Sequence, residues 1–365
     1  MKKVLKNEGI QAFIASVICI LLGILIGYIV LLFINPAGAG ESILNVIKNF
    51  FYKKPARQMK ELGNTLAKTM PLILCSLSIL FSYKVGLFNI GTAGQYVAGA
   101  CASLYAALAW GWGWLPCMLF AIVAGAFLGT VTGLLKAYCN VNEVISGIML
   151  NWIALYTANT ILTTVKESTS PYTLYLDKIN ESSLLPTLGL DKFFGNNTNV
   201  TIAVPLTIIV AVIVWIILGK TKLGYELKAT GNNKNAAKYA GMAQNRNIIL
   251  TLAISGALAG LGASFLYQTG YMRWECTQSS VPSMGFNGIA AAFLGGLHPL
   301  GAIFSSFFIQ HITDGGQYVN TNFYSSQISD VISSVIIYLC GFVLFIKLTM
   351  KKIIANKEEK KGAKK

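Results

Sequence analysis

Long apolar runs separated by short polar stretches set the pattern of this 365-residue chain. A helix needs about 20 apolar residues to cross the hydrocarbon core of a bilayer. Runs near that length fall at about 13–34, 66–84, 88–110, 115–136, 144–165, 200–219, 248–268, 281–297, 299–316 and 328–348. The pattern predicts an all-α fold, a polytopic transmembrane helix bundle of about ten spans. The domain limits that follow are a cytoplasmic N-terminus at 1–12, a transmembrane domain at 13–348 and a lysine-rich tail at 349–365. The first run is preceded by Lys2, Lys3 and Lys6 and followed by Ala37-Gly38-Ala39, as a signal peptide would be. It is longer than the usual h-region of roughly 7–15 residues, so it reads as a retained first span.

Two apolar stretches carry Gly and Asn where a continuous helix would not. They are residues 84–100 (KVGLFNIGTAGQYVAGA) and 283–301 (SMGFNGIAAAFLGGLHPLG), and each holds a Gly followed at once or one residue later by Phe-Asn. Both predict interrupted helices. In a ten-span topology the block of spans two to five begins outside and the block of spans seven to ten begins inside, an inverted five-plus-five repeat. Such folds place a substrate path at the repeat interface, where broken helices expose polar groups within the membrane. Phe88, Asn89, Gln95, Phe286 and Asn287 are therefore candidates for the path. The alternative for Asn89 and Asn287 is that they cap the broken helices and satisfy freed backbone groups.

Charge orients the chain. Placing both termini in the cytoplasm puts most Lys and Arg inside: Lys2, Lys3, Lys6, Lys84, Lys136, the group from Lys220 to Arg246, and the tail. The outward loop 166–199 is near balance, whereas the outward loop 35–65 departs from the rule with Lys48, Lys53, Lys54, Arg57 and Lys60. The net charge of +15 does not imply nucleic-acid binding, because the cations sit between apolar runs and in tails rather than on one basic face. Hydrophobic residues at 54%, charged residues at 12% and a mean hydropathy of +0.59 leave too little polar surface for a soluble globule, so the lipid bilayer is the chain's medium.

The seven cysteines show no CxxC spacing and behave as small hydrophobes. Trp110, Trp112 and Trp114 suit an interfacial aromatic belt. Gly125, Gly129 and Gly133, with Gly256 and Gly260, recur every four residues and read as packing seams. Glu143, Asp314 and Asp330 fall near span ends, where they can cap helices or pair with Lys136 or Lys347.

Four blocks carry a resemblance. Residues 86–100 (GLFNIGTAGQYVAGA), 142–151 (NEVISGIMLN), 286–301 (FNGIAAAFLGGLHPLG) and 224–262 resemble, in order and spacing, the bacterial branched-chain amino acid and simple-sugar permease superfamily of ABC transporters, most closely its nucleoside-importer branch. The likeness covers roughly residues 60–345. It departs at Thr92 and Ala93, where relatives usually carry a small residue and an acid, and at Asn142, where His is frequent.

The resemblance implies a permease subunit of a nucleoside importer in the bacterial plasma membrane. Its expected partners are a second homologous permease subunit, a cytoplasmic ATPase that uses ATP and Mg, and an extracellular substrate-binding lipoprotein. Asn151 joins Asn89, Gln95 and Asn287 as an amide able to bond a base, with Phe88 and Phe286 placed to stack on it. The longest inner loop, 220–247, would hold a coupling helix around residues 233–242 (NKNAAKYAGM), with Asn235, Ala236, Ala237, Tyr239, Ala240 and Gly241 as contacts to the ATPase.

No catalysis, metal site or cofactor is expected in this chain. Gly219-Lys220-Thr221 lacks the first Gly of a P-loop, Val214 standing there, and His298 and His311 lie in no triad or ligand set. The alternatives are an ABC permease for simple sugars or amino acids, and an ion-coupled secondary transporter.

Overall fold

The computed structural model describes residues 8–52 and 54–319, with isolated positions between 323 and 352. In chain order the helices are α1 (Glu8–Ile34), α2 (Ala39–Lys48), α3 (Pro55–Lys84), α4 (Thr92–Leu108), α5 (Trp114–Cys139), α6 (Glu143–Leu162), α7 (Ala203–Lys220), α8 (Lys222–Asn232), α9 (Lys234–Tyr239), α10 (Gln244–Tyr267), α11 (Met284–Leu294) and α12 (Pro299–Gly315), with single helical turns between some of them. Among the described residues extended pairing is confined to two isolated antiparallel bridges, Lys166 with Thr173 and Tyr172 with Glu275.

The chain divides into two compact units, Lys53–Ile289 and Met1–Tyr52 with Ala290–Lys365. Among the described residues six helices are long and apolar enough to cross a membrane: Ile14–Ile34, Arg57–Lys84, Trp114–Cys139, Glu143–Val165, Ala203–Lys220 and Gln244–Tyr267. The protein is thus an all-helical, multi-pass membrane protein.

In the larger unit α3, α4 and α10 form the interior. The apolar windows of α3 and α10 are 89% and 72% buried, against 33%, 39% and 28% for α5, α6 and α7, whose remaining apolar surface faces outward as lipid-facing helices require. Between Thr92 and Ala107 almost every residue of α4 is buried. The glycine spacing read from the sequence proves to be one seam. A methyl group on Gly125 or Gly129 of α5 would overlap the backbone carbonyls of Gly256 and Leu252 on α10, so the two helices meet backbone to backbone. On its other side Gly260 faces Gly99 of α4, where an added Cβ would lie 2.5 Å from the Gly260 Cα.

Helix ends follow local chemistry. α3 opens with Pro55 at its first turn, where a missing N–H costs nothing. Asn140 ends α5 in the left-handed conformation at φ 52°, and the Asn142 side chain caps α6 by accepting from the Val144 amide at 2.8 Å. Lys136 and Glu143 close this corner with a 2.7 Å ion pair, the pairing anticipated for that acid.

In the smaller unit α2 packs on α12. Gly315 sits against the Val46 carbonyl, and Asn49, at φ 48°, donates its side-chain N–H to the His311 carbonyl at 2.9 Å. The imidazole of His311 lies among Phe50, Phe51 and Phe307.

Several boundaries differ from those expected. α3 begins at Pro55 rather than near 66, because Arg57, Lys60 and Glu61 continue the helix past the apolar stretch. The loop expected at 35–65 also contains α2. The run expected at 281–297 holds α11, whose 11 residues extend about 16 Å, well short of a bilayer core of about 30 Å. The run at 299–316 coincides with α12, while about half of the run at 328–348, including Asp330 and Lys347, and all but two positions of the 349–365 tail lie outside the described residues.

Candidate functional site

The site is built where α3 stops and α4 starts. After Lys84 the chain leaves the helix for residues 85–91, with Gly86 at φ 77°, a conformation in which a side chain is strained. Unpaired backbone is costly wherever it is buried from water, and the sequence answers with side chains. Asn151, on α6, accepts from the Gly94 amide at 2.7 Å and donates to the Ile90 carbonyl at 3.1 Å, so one amide serves both sides of the break.

Asn89 and Gln95 bond each other reciprocally. The Asn89 Nδ2 donates to Gln95 Oε1 at 2.8 Å, and the Gln95 Nε2 donates to Asn89 Oδ1 at 3.2 Å. Around them Thr92 donates to the Asn89 carbonyl at 2.9 Å, the Ser78 hydroxyl lies 3.3 Å from that of Thr92, and Ser255 of α10 donates to the Ser78 carbonyl at 3.0 Å. The network ties α3, the break, α4 and α10 together, and Asn89, Gln95 and Asn151 are all buried.

The second Phe-Asn block comes to the same place. From Gln268, which donates to the Trp114 and Ser183 carbonyls, irregular chain passes Gln278, whose carbonyl accepts from Asn159 at 2.9 Å, and reaches α11. There Gly285 meets the first turn of α4: an added Cβ would lie 2.5 Å from the Ala93 Cα. Gly288 meets α3, with an added Cβ 2.9 Å from the Cys75 Cβ. The interrupted segments found in sequence as a pair are therefore packed against one another.

The six candidate path residues differ in exposure. Phe88 is half-buried and lies edge-on to Tyr83 at 6.5 Å. Phe286 is 38% exposed and Asn287 half-buried, while the three remaining amides are committed to protein partners.

At the end of the unit where α3 and α5 finish, α8 and α9 form an elbow. Asn233 closes α8, its amide bonding to the Ala229 carbonyl, and opens α9, its side chain accepting from the Ala236 amide at 3.0 Å. Gly241, at φ 77°, ends α9 while the Met242 amide reaches back to the Ala237 carbonyl, a common glycine-terminated helix end. Ala237 is buried and fixes the elbow to the unit, whereas Asn235, Ala236, Ala240 and Gly241 are exposed and Tyr239 is 94% exposed.

The opposite end carries a cap that the sequence did not reveal. Trp274 is fully buried in the irregular chain after α10, its Nε1–H donating to Asn159 Oδ1 at 2.9 Å and its ring 5.8 Å from that of Tyr267. Next to it Arg273 pairs with Glu167 at 2.9 Å and lies over the ring of Tyr175 at 3.8 Å. The Ser170 hydroxyl and then the Arg273 guanidinium hold the Glu167 carboxyl below its ordinary range. The only sequence signal was a Trp amid polar residues, which hydropathy cannot distinguish from an interfacial anchor. Trp110 and Trp112, by contrast, are exposed and packed together with Phe120, as a belt would be.

Membrane-crossing helices surrounding a buried, interrupted helix, with a second interrupted segment driven in against it, define a membrane permease. The chain belongs to the family of branched-chain amino acid transport system permease components, which it matches over residues 62–341. It is 32% identical to the nucleoside ABC transporter permease protein NupB of Lactococcus lactis over 98% of this chain and 100% of that one. It is 31% identical to the guanosine ABC transporter permease protein NupP of Bacillus subtilis, over 98% and 99%. The glucose ABC transporter permease protein TsgB13 of Haloferax volcanii is 28% identical over 72% of this chain and 70% of its own. No solved structure matches the chain.

Proposed function

We propose that this chain is the permease subunit of a nucleoside ABC importer and forms half of the transmembrane path. The observation that carries the reading is the irregular segment 268–283, bonded to α6 through Asn159 and leading into α11, whose Gly285 packs on the first turn of α4 beside the other break. Non-helical backbone at membrane depth is tolerated where it is buried in protein or lines a cavity, and transporters place their sites at such breaks. Nucleosides as substrate are supported by two relatives, named for nucleosides and guanosine, that align over nearly the whole chain.

In this reading Phe88, Phe286 and Asn287 line the path, and Asn89, Gln95 and Asn151 join them when it opens. The complete topology is ten spans in an inverted five-plus-five arrangement with both termini in the cytoplasm. The α8–α9 elbow then faces the cytoplasm and docks on a separate ATPase, which uses ATP and Mg. A second homologous permease completes the path, and a substrate-binding lipoprotein delivers nucleoside to the outer face.

The test is uptake of labelled guanosine and uridine into proteoliposomes holding this chain, its ATPase, its partner permease and the binding lipoprotein. ATP-dependent nucleoside uptake is expected. Uptake of glucose in its place would assign the sugar reading that the Haloferax relative favours. Uptake that continues without the ATPase and collapses with an ionophore would assign an ion-coupled transporter instead.

A further inference from the structure

The buried end of the elbow lies on the break itself. Gly231, in the last turn of α8, touches the chain where α3 gives way to residues 85–91: an added methyl would overlap the Val85 carbonyl and approach the Gly86 nitrogen to 3.0 Å. From the other side a Cβ on Gly86 would stand 2.9 Å from the Gly231 carbonyl oxygen. Two backbones with no intervening side chain transmit displacement without the slack of a rotamer change. Asn89, one half of the reciprocal amide pair, follows Gly86 by three residues.

The surroundings hold this contact in place. Thr230, beside Gly231, accepts from the Asn247 Nδ2 in the first turn of α10 at 2.8 Å, both residues being buried. Leu87, next to Gly86, is buried against Ile248 and Leu252 of the same helix. Because Asn233 caps both α8 and α9, no flexible linker separates Gly231 from the exposed Tyr239.

We propose that the Gly231–Gly86 backbone contact is where displacement of the α8–α9 elbow reaches the path, by shifting the break and parting Asn89 from Gln95. Gly231, Gly86 and Thr230 are positioning residues for transport. They touch neither substrate nor nucleotide. The proposal rests on the importer reading given above and adds to it the route by which the ATPase would act on this subunit.

Two alterations test it in the reconstituted complex. Gly231→Ala pushes the backbones apart, and insertion of two glycines after Asn233 frees α9 from α8 while leaving the Gly231–Gly86 and Thr230–Asn247 contacts in place. Gly219→Ala, at a position open to its surroundings, is the control. ATPase co-purification, ATP hydrolysis and nucleoside uptake are measured together, and the result is read as nucleoside taken up per ATP hydrolysed.

Both alterations are expected to keep the ATPase bound and hydrolysing while uptake per ATP falls about tenfold, with the control unchanged. If Gly231→Ala prevents folding, the glycine insertion alone decides. Unchanged uptake per ATP in the insertion variant overturns the proposal. Loss of ATPase co-purification there overturns it too, because the elbow would then serve assembly rather than transmission. A wild-type complex that takes up no nucleoside with ATP would instead sink the importer reading, a separate and recognisable failure.

Discussion

Asn89 and Gln95 hold each other by both ends of their amides, at 2.8 and 3.2 Å, inside the larger unit. A reciprocal pair satisfies two buried donors and two acceptors at once, and removing one partner takes both bonds from the other, leaving Asn89 only a long 3.5 Å contact to the Ser78 hydroxyl. Asn89→Leu or Gln95→Leu alone should therefore destabilise the protein by about 1–3 kcal/mol, while the double Leu variant should recover part of that loss. Thermal unfolding of the protein in nanodiscs measures the three differences, and additive single effects would show that the pair is not coupled.

Asn287 gives a contrasting outcome. It is half-buried rather than enclosed, in the first turn of α11, with its backbone amide bonded to the Ser283 carbonyl at 2.8 Å. Asn287→Leu should leave that backbone bond and the melting temperature nearly unchanged, yet lower nucleoside uptake about tenfold if its amide meets the substrate. Equal uptake by wild type and variant would remove Asn287 from the path.

The seam between α5 and α10 predicts a loss of stability rather than of transport chemistry. Gly129→Ala places a methyl against the Leu252 carbonyl, so the two helices must separate along their length. The expected cost is about 1–3 kcal/mol, the range for overpacking a close contact. Gly219→Ala should cost nothing measurable, and equal melting points for the two variants would contradict the backbone contact.

What could be read from the sequence divides along physical lines. Hydropathy is a sum over one segment, so α1, α5, α6, α7 and α10 were legible from their apolar length alone, whereas residues 55–65 of α3 were missed because a polar helix beyond the apolar run carries no such signal. The glycine spacings identified two helices that pack closely, but only the structure shows that Gly129 and Gly256 belong to the same contact. The first Phe-Asn block was legible as a break, whereas the second Phe-Asn lies within α11, whose helix ends only at Leu294. The residue that satisfies the first break, Asn151, makes its bond to Gly94 across 57 positions, and no local pattern encodes that pairing. Trp274 escaped for the same reason: its partner Asn159 lies 115 residues away.

Glu167 makes the cap sensitive to acid. Its carboxyl is held below the ordinary glutamate value of 4.5 by the Ser170 hydroxyl and then by Arg273. A depressed folded-state value stabilises the protein above the unfolded value and loses that contribution as pH falls through the folded one. The melting-temperature advantage of wild type over Glu167→Gln should thus be present at neutral pH and vanish as pH drops below the ordinary carboxylate range. The group is solvent-exposed, so the advantage should also shrink with added salt. A difference that persists at low pH would assign the effect to packing instead.

Trp274 should matter more than any charge in the cap. Fully buried between Asn159 and Tyr267, it joins the chain after α10 to α6 by one indole hydrogen bond and a large apolar contact. Trp274→Phe keeps much of the contact but strips Asn159 Oδ1 of its donor, and should cost about 1–3 kcal/mol. Trp274→Ala also opens a cavity and should cost about 3–5 kcal/mol. Asn159→Leu removes the acceptor of the indole N–H and the donor to the Gln278 carbonyl together, so its cost should exceed that of Trp274→Phe. Thermal unfolding should rank the variants in that order, and a Trp274→Ala protein as stable as wild type would mean the cap does not hold the segment leading to α11.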